Sequence, residues 1–379
     1  MNKVLFFQPF YDLKGHFKPF LKTHERILTS SGFDCFHVIG RDSKQKIEDT
    51  SSEYYYNGSN KIIRLLSTYR GLKKIKEVCR KQNIEIIHFL DFEIIVLCFF
   101  MFLNQRFFSK KKLILTLHSV NYIQKDVTGI HNTIYRKLII YCYRYLDSAF
   151  TVDIVTNGDT LTDTFNSQVG LKHSRVITSN WGTEEANSTV DLHQKKQDSF
   201  LFLGIIRRDK NIEYLLEQFS NIQSDYILTI AGMPFGYEKK ELNKLIKYSG
   251  IPDKKLKTHL DFLDDQDYES LLSSHKYIVL PYKETNKSNS GPLIQALQYN
   301  IIPIVSDYGE RAQIVNKFSL GYTFKFHHGA NLSSIIQHIL KDEDSQEQIY
   351  LDNIIAKKDS YLWKNILEKL IQYHKIYMN

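Results

Sequence analysis

The sequence predicts an α/β protein built from two doubly wound domains, each a parallel sheet with helices packed on it. Three observations lead there. Short apolar runs alternate with amphipathic helical stretches along the chain, the pattern of strands joined by crossover helices. A polar, turn-rich stretch at about 172–198 interrupts the alternation once and reads as a linker. With 379 residues, 42% hydrophobic and 24% charged, the chain can fill two cores, and it fits neither a disordered nor a fibrous class.

Taken in order, residues 4–7 are an apolar run of strand length, 21–31 a helix, and 36–39 a second strand. A helix follows at 69–82, then strands at 84–89 and 113–117, an aromatic-rich helix at 134–146, and a strand at 149–155. After the linker the alternation resumes at 200–203, 214–219, 227–231, 238–247, 259–263, 268–274, 277–281, 293–298, 302–306 and 332–340. A closing helix at 361–377 is long enough to run across a domain boundary. The domains are therefore expected at 1–185 and 186–359, with about 360–379 returning to the first.

The apolar run at the start is too short for a signal peptide, and the ten apolar residues at 94–103 fall well short of the roughly 20 that span a bilayer. Four cysteines with no CxxC pair suit a reducing compartment, so a cytoplasmic protein is expected. Residues 1–190 hold 26 Lys and Arg against 18 Asp and Glu, while 191–379 hold 24 of each. The whole excess of +8 thus sits in the first half and calls for an anionic partner there. No nucleic-acid motif accompanies the basic stretches, so an anionic membrane surface is the expected partner and nucleic acid is not. Two stretches carry this expectation. In 69–81, Lys73, Lys74, Lys76, Arg80 and Lys81 stand beside Leu72, Ile75 and Val78, the composition of a basic amphipathic helix. The run 94–103 leads into Phe107, Phe108 and a lysine triplet at 110–112.

Ligands of open α/β sheets bind beyond the carboxyl ends of strands, and the informative residues lie just after four of them. Lys14-Gly15-His16-Phe17 follows the first strand, and His118-Ser119 follows the strand at 113–117. After 200–203 comes Gly204-Ile205-Ile206-Arg207-Arg208-Asp209-Lys210, and after 277–281 come Glu284 and Ser288-Asn289-Ser290-Gly291-Pro292. Arg207 and Lys210 pair a planar fork with a mobile point charge, which suits a diphosphate. Ser290 and Gly291 precede a helix whose first amides and dipole favour an anion.

In this order, LFLGIIRRDKNIEYLLEQF, ILTIAG, LDDQDYESLLSSHKYIVLPYKE, SNSGPLIQAL and IIPIVSDYGE resemble the donor domain of GT-B glycosyltransferases, family 4 of that class. Tyr361-Leu362-Trp363 is similar to the aromatic motif before that family's crossing helix. The resemblance implies the GT-B fold: two Rossmann-like domains facing a central cleft, the first on the acceptor side, the second binding a nucleotide sugar, and a terminal helix crossing back. It implies that Arg207 and Lys210 stabilise the departing diphosphate and that Gly204, Ser290 and Gly291 approach the phosphates. It also places His118 near the transferred sugar and Gly15 and His16 on the loop that approaches donor and acceptor. The family's two glutamates eight positions apart are replaced here by Lys287 and Gln295. Glu284 is then the acid expected to take the first role, and Gln295 is expected to bond the ribose.

The expected activity is transfer of a hexose from a nucleotide diphosphate sugar to a glycan or lipid-linked acceptor in surface polysaccharide assembly, with retention. The nucleotide sugar is a co-substrate; no cofactor and no metal are expected. A catalytically degenerate partner subunit is the alternative, favoured by Lys287 and Gln295. A dehydrogenase would want a GxGxxG turn after the first strand, where only Gly15 stands.

Overall fold

The computed structural model describes residues 2–12, 17–41, 51–56, 60–120, 123, 129–186, 195–326, 331–341 and 346–376. The chain divides into two compact units, Met1–Asn180 with Ile366–Asn379, and Trp181–Asn365.

The first unit contains strands β1 (Asn2–Gln8), β2 (Phe33–Arg41), β3 (Ser51–Tyr55), β4 (Ile86–Phe89), β5 (Lys112–Leu117), β6 (Val152–Thr156) and β7 (Arg175–Thr178). Its helices are α1 (Phe17–Ser30), α2 (Lys61–Gln82), α3 (Ile94–Leu103), α4 (Gln105–Phe108), α5 (Ile130–Ala149) and α6 (Asp159–Val169). The strands pair in the order β3-β2-β1-β4-β5-β6-β7, and every pairing is parallel. Such a sheet is covered on both faces, which is why β1 carries the unbroken apolar run at 4–7 rather than an alternating one.

The second unit contains β8 (Lys196–Leu203), β9 (Ile227–Ala231), β10 (Leu256–His259), β11 (His275–Leu280), β12 (Ile302–Ser306) and β13 (Tyr322–Phe324). Its helices are α7 (Ile212–Ser220), α8 (Lys239–Lys247), α9 (Asp265–Ser274), α10 (Gly291–Gln298), α11 (Gly309–Phe318), α12 (Leu332–Leu340) and α13 (Glu347–Lys357); α14 (Trp363–Ile376) starts here and ends in the first unit. The sheet order is β10-β9-β8-β11-β12-β13, again all parallel.

Three expectations are corrected. The stretch 172–198 is not linker throughout: β7 lies inside it, paired with β6, and β8 begins at Lys196. Residues 259–263 are not a strand, because β10 ends at His259. The apolar side of 69–81 is not a lipid-facing stripe. Leu72, Ile75 and Val78 are buried in the first core with Leu5, Phe7 and Ile87 of the sheet, so this face of α2 is what attaches the helix to its own domain. Several of its neighbouring cations also have structural work: Lys74 pairs with Glu77 at 2.9 Å, Lys76 donates to Asn104, and Lys111 donates to the Ile84 carbonyl at 2.6 Å.

Among the described residues no helix is long and apolar enough to cross a membrane. Two tryptophans, Trp181 and Trp363, meet edge to face at 5.6 Å in the second unit, and Thr183 forms a parallel bridge with Leu362. Tyr361 and Leu362 are thereby buried where chain enters and leaves that unit.

Candidate functional site

Each sheet reverses its strand order once, and that is where a crevice opens beyond the strand ends. In the second sheet the reversal lies between β8 and β11. The loops leaving these two strands are the ones that carry Gly204 to Lys210 and Tyr282 to Gly291. The topology thus brings to one place two loops some 80 residues apart in sequence.

Gly204 has φ +102°, a conformation that side chains rarely adopt. A Cβ on it would sit 3.1 Å from both the Lys210 ammonium and the Pro292 ring, so Gly204, Lys210 and the start of α10 share one point. Lys210 itself is buried, its Nζ 5.2 Å from the centre of the Tyr282 ring. Ser290 caps α10 by accepting from the Leu293 amide, and Pro292 in the first turn carries no N–H of its own. A cation beside a helix N-terminus is an arrangement that attracts an anion from two directions.

Arg207 is held by Asp209, with Nε to Oδ1 at 2.9 Å and NH2 to Oδ2 at 2.7 Å. That bidentate bond keeps the Arg207 guanidinium charged. Burial would raise the Asp209 carboxyl, but Arg207 outweighs it and holds the acid below its usual range. Asp209 also accepts from Asn286 Nδ2 at 2.7 Å, and its carbonyl accepts from the Lys283 amide at 2.9 Å, which ties the β8 loop to the β11 loop.

Beneath the second loop lies a residue that the sequence pattern does not flag. Arg311 on α11 is fully buried, yet among the described residues its guanidinium has no acid in ion-pair contact. Its NH1 donates to the Ser288 carbonyl at 2.6 Å and to Asn286 Oδ1 at 3.2 Å, and its NH2 donates to the Asn286 carbonyl at 2.5 Å. Burial lowers its pKa to about 10, which leaves it charged at neutral pH. Tyr282 lies against this cation too, 4.4 Å from ring centre to guanidinium. Burial alone would raise the Tyr282 phenol, but Lys210, a hydrogen bond with Ser290, and Arg311 together hold it below its ordinary value. A run Arg311–Asn286–Asp209–Arg207 therefore links α11 to the half-exposed cation. The hint in the sequence is an arginine inside the apolar spacing of α11, where a charge needs a reason.

Gln295 accepts a 2.6 Å hydrogen bond from the Tyr268 hydroxyl, leaving its amide N–H groups as what it can offer a ligand. Glu284 is exposed and bonds the Tyr308 hydroxyl. Gly291 faces Trp181, whose Nε1 would be 3.6 Å from a Cβ at that position.

In the first unit the reversal lies between β1 and β4. Gly15 and His16 fall outside the described residues. His118, just after β5, is anchored at both ring nitrogens: Nε2 donates to the Leu90 carbonyl at 2.9 Å, and Nδ1 accepts from Asn157 Nδ2 at 2.9 Å. Asp91 Oδ2 stands 3.5 Å from Nε2 and accepts from Gln8 Nε2 at 3.1 Å. Burial pushes the imidazole pKa down from 6.5 to about 4, against the raising effect of the Leu90 bond. At neutral pH the ring is an uncharged, oriented group. Beside it opens a cavity of about 330 Å³ with Asp91, Glu93 and Arg64 among its polar residues and Phe10, Phe92 and Tyr135 among its rings. Arg64 and Glu93 pair at 2.9 Å.

The depressed His118 pKa has a consequence for stability. Between about pH 4 and 6.5 the unfolded chain binds this proton and the folded one does not, so the first unit loses stability as pH falls through that window. The full effect is up to about 3 kcal/mol at roughly 1.4 kcal/mol per pKa unit. Amide hydrogen exchange of β4 and β5 at pH 7 and pH 5 measures it: wild type is expected to lose protection beyond the intrinsic rate change, and His118→Gln to lose less. Equal slopes for the two proteins would contradict the assignment.

Residues 183–352 match the family described as glycosyl transferases group 1. No curated protein matches the chain. Among solved structures, sucrose-phosphate synthase from Thermosynechococcus elongatus superposes with a TM-score of 0.76 at 14% identity, covering 100% of this chain and 99% of that one. WaaG, a glycosyltransferase involved in lipopolysaccharide biosynthesis, gives 0.69 at 10% identity over 97% and 98%. Anabaena Alr3699/HepE in complex with UDP and glucose gives 0.70 at 12% identity over 98% and 99%. The fold is thus that of the GT-B glycosyltransferases.

Proposed function

With residues 183–352 matching the group 1 glycosyl transferases and the chain folded as GT-B enzymes are, we propose that this protein transfers a hexose from a nucleotide diphosphate sugar, with retention of configuration, to a glycan or lipid-linked acceptor in surface polysaccharide assembly. The observation that carries the reading is the meeting of Lys210, Gly204 and the α10 N-terminus at the strand-order reversal, with Arg207 on the same loop.

In this reading the diphosphate lies against Lys210 and the first turn of α10, and Arg207 faces it from the loop. As the bond from the anomeric carbon to the phosphate oxygen breaks and the acceptor hydroxyl oxygen bonds to that carbon, negative charge grows on the departing phosphate, which takes up the hydroxyl proton. Cations already fixed by Tyr282 and Asp209 stabilise that charge without reorganising. Gln295 donates to the ribose, and Glu284 is given the sugar. His118 orients a hydroxyl as a neutral group; a ring bonded at both nitrogens is not assigned proton transfer. The cavity next to His118 is given to the acceptor, since carboxylates bond hydroxyls while aromatic faces cover a sugar ring, and about 330 Å³ accommodates one. The protein works in the cytoplasm, peripherally at the inner membrane face.

No metal is assigned, because side-chain cations and a helix terminus serve the diphosphate. Among the described residues no group of three His, Cys, Asp or Glu is placed to hold one. An Asp-x-Asp sequence does occur at Asp265 and Asp267, but it lies in the first turn of α9, where the Asp264 side chain caps the Asp267 amide. A second, at 342–344, lies outside the described residues. Transfer is expected to survive EDTA; activity abolished by EDTA and restored by magnesium or manganese would move the diphosphate charge onto a metal.

The test of the reading is a thermal-shift screen with UDP, GDP and ADP and their sugars, followed by product analysis for the nucleotide that binds. UDP comes first because HepE structures contain UDP and UDP-glucose. Gln295 and Lys287, standing where acids are usual, favour the second reading, a binding subunit without turnover. Nucleotide-sugar binding with no transfer or hydrolysis would support that one.

A further inference from the structure

Three helices of the first unit carry a surface that the donor and acceptor sites leave unused. α3 packs between α2 and α5: Tyr69 of α2 meets Phe100 at 5.3 Å, and Phe102 meets Tyr145 of α5 at 6.0 Å. The outward side of this layer is apolar. Phe99 and Phe102 are 56% and 57% exposed, three residues apart on one side of α3. Leu66 on α2 and Ile134, Leu138 and Tyr141 on α5 are exposed as well, the last three at the i, i+4, i+7 spacing of one helix face. Scattered exposed apolar residues need no explanation, but stripes on two helices packed side by side, with Leu66 of a third beside them, do.

The same stretch concentrates charge. Residues 61–149 contain sixteen Lys and Arg against six Asp and Glu, an excess of ten, so the rest of this +8 chain is slightly acidic. Lys73 on α2, Arg106 on α4, Lys110 in the turn after α4 and Lys137 on α5 are exposed. A groove of about 700 Å³ beside the stripe is lined by Lys73, Lys76, Arg80 and Lys81, with Glu77 the one acid among its lining residues.

We propose that the outer face of α2, α3 and α5 docks on an anionic lipid surface, with Phe99 and Phe102 entering the headgroup region and the basic groove receiving lipid phosphates. The proposal deepens the membrane part of the function above, and replaces the buried Leu72, Ile75 and Val78 face with a different one. Two occupants fit less well. A second copy of the chain would bring two strongly positive segments together, and a nucleic acid has no use for an apolar stripe in the middle of its cations. An anionic bilayer surface meets both features at once.

The test is flotation of the full chain with phosphatidylcholine vesicles, with and without phosphatidylglycerol, at low and high salt. Wild type is expected to float with the anionic vesicles only, and to lose at least about tenfold in partition at high salt. Phe99→Ser with Phe102→Ser is expected to weaken partition about tenfold, and Lys73→Gln, Arg106→Gln, Lys110→Gln and Lys137→Gln together about a hundredfold. Far-ultraviolet circular dichroism and thermal melting of both variants should match wild type, which shows that the altered first unit folds. Equal flotation on neutral vesicles, or variants that float like wild type, overturns the proposal. So does a dimer in sedimentation velocity that Phe99→Ser with Phe102→Ser disperses while no vesicle is bound, or binding of an oligonucleotide in preference to vesicles. The transferase reading fails separately, through loss of nucleotide binding in a protein that still floats.

Discussion

Replacing Lys210 by alanine is expected to cut sugar transfer by about 100-fold or more, the scale for removing one preorganised charge partner of a developing anion. The side chain is buried against Tyr282 and stands at the start of α10, so it is oriented before any ligand arrives. Arg207→Ala should cost a comparable factor by a different route, because Arg207 is half exposed and owes its placement to Asp209. Because Lys210 is buried beside Tyr282, thermal melting of both variants is to be matched to wild type before their kinetics are read. Purified variants are to be compared in kcat and kcat/KM under saturating acceptor. Near wild-type turnover in both would remove the diphosphate clamp from the account.

Arg311→Met is expected to have the largest effect on stability. The variant leaves the Ser288 and Asn286 carbonyls without their donor, at about 1–3 kcal/mol for each buried acceptor left unsatisfied, while Asn286 Oδ1 keeps its bond from the Ser288 hydroxyl. Relief from burying a charge offsets part of this, so a net loss of about 3 kcal/mol is expected. Both tryptophans lie in the second unit, which makes tryptophan fluorescence in urea a direct report on that unit. Loosening of the 286–288 loop should reach Arg207 through Asn286 and Asp209, raising the donor KM more than it lowers kcat. Arg311→Lys keeps the charge and one bond and should recover part of both losses. An Arg311→Met protein as stable as wild type, with an unchanged donor KM, would show that the buried guanidinium does not position the loop.

These effects divide along the line between what the residues announce and what only the fold assembles. Strands such as β9 and β12 are legible because an apolar run between turn residues has one use in a covered parallel sheet. α3 is not, since ten consecutive apolar residues carry no periodicity to separate helix from strand. α11 is hidden for the opposite reason: Glu310 and Arg311 are charged yet buried, and they break the apolar spacing from inside the core. β7 and β13, four and three residues long, are too short to stand out from a turn-rich background.

The donor loops behave in the same way. Arg207, Lys210, Ser290 and Gly291 are visible as cations and small residues after strands, so the sequence alone places them at strand ends. Asp209 and Asn286 are ordinary turn residues in sequence, and only the meeting of two distant loops reveals that they join. The amphipathic pattern of 69–81 was a true pattern with a different cause, because spacing alone cannot tell a face buried in its own domain from one offered to lipid.

In the proposed function the second unit binds a nucleoside diphosphate through Lys210. Calorimetric titration of wild type and Lys210→Ala with UDP, GDP and ADP tests it without depending on acceptor, sugar or membrane. Wild type is expected to bind one of the three, and Lys210→Ala to bind the same one at least about tenfold more weakly, with the heat of binding reduced. No binding of any of the three to wild type, or equal binding to both proteins, would contradict it.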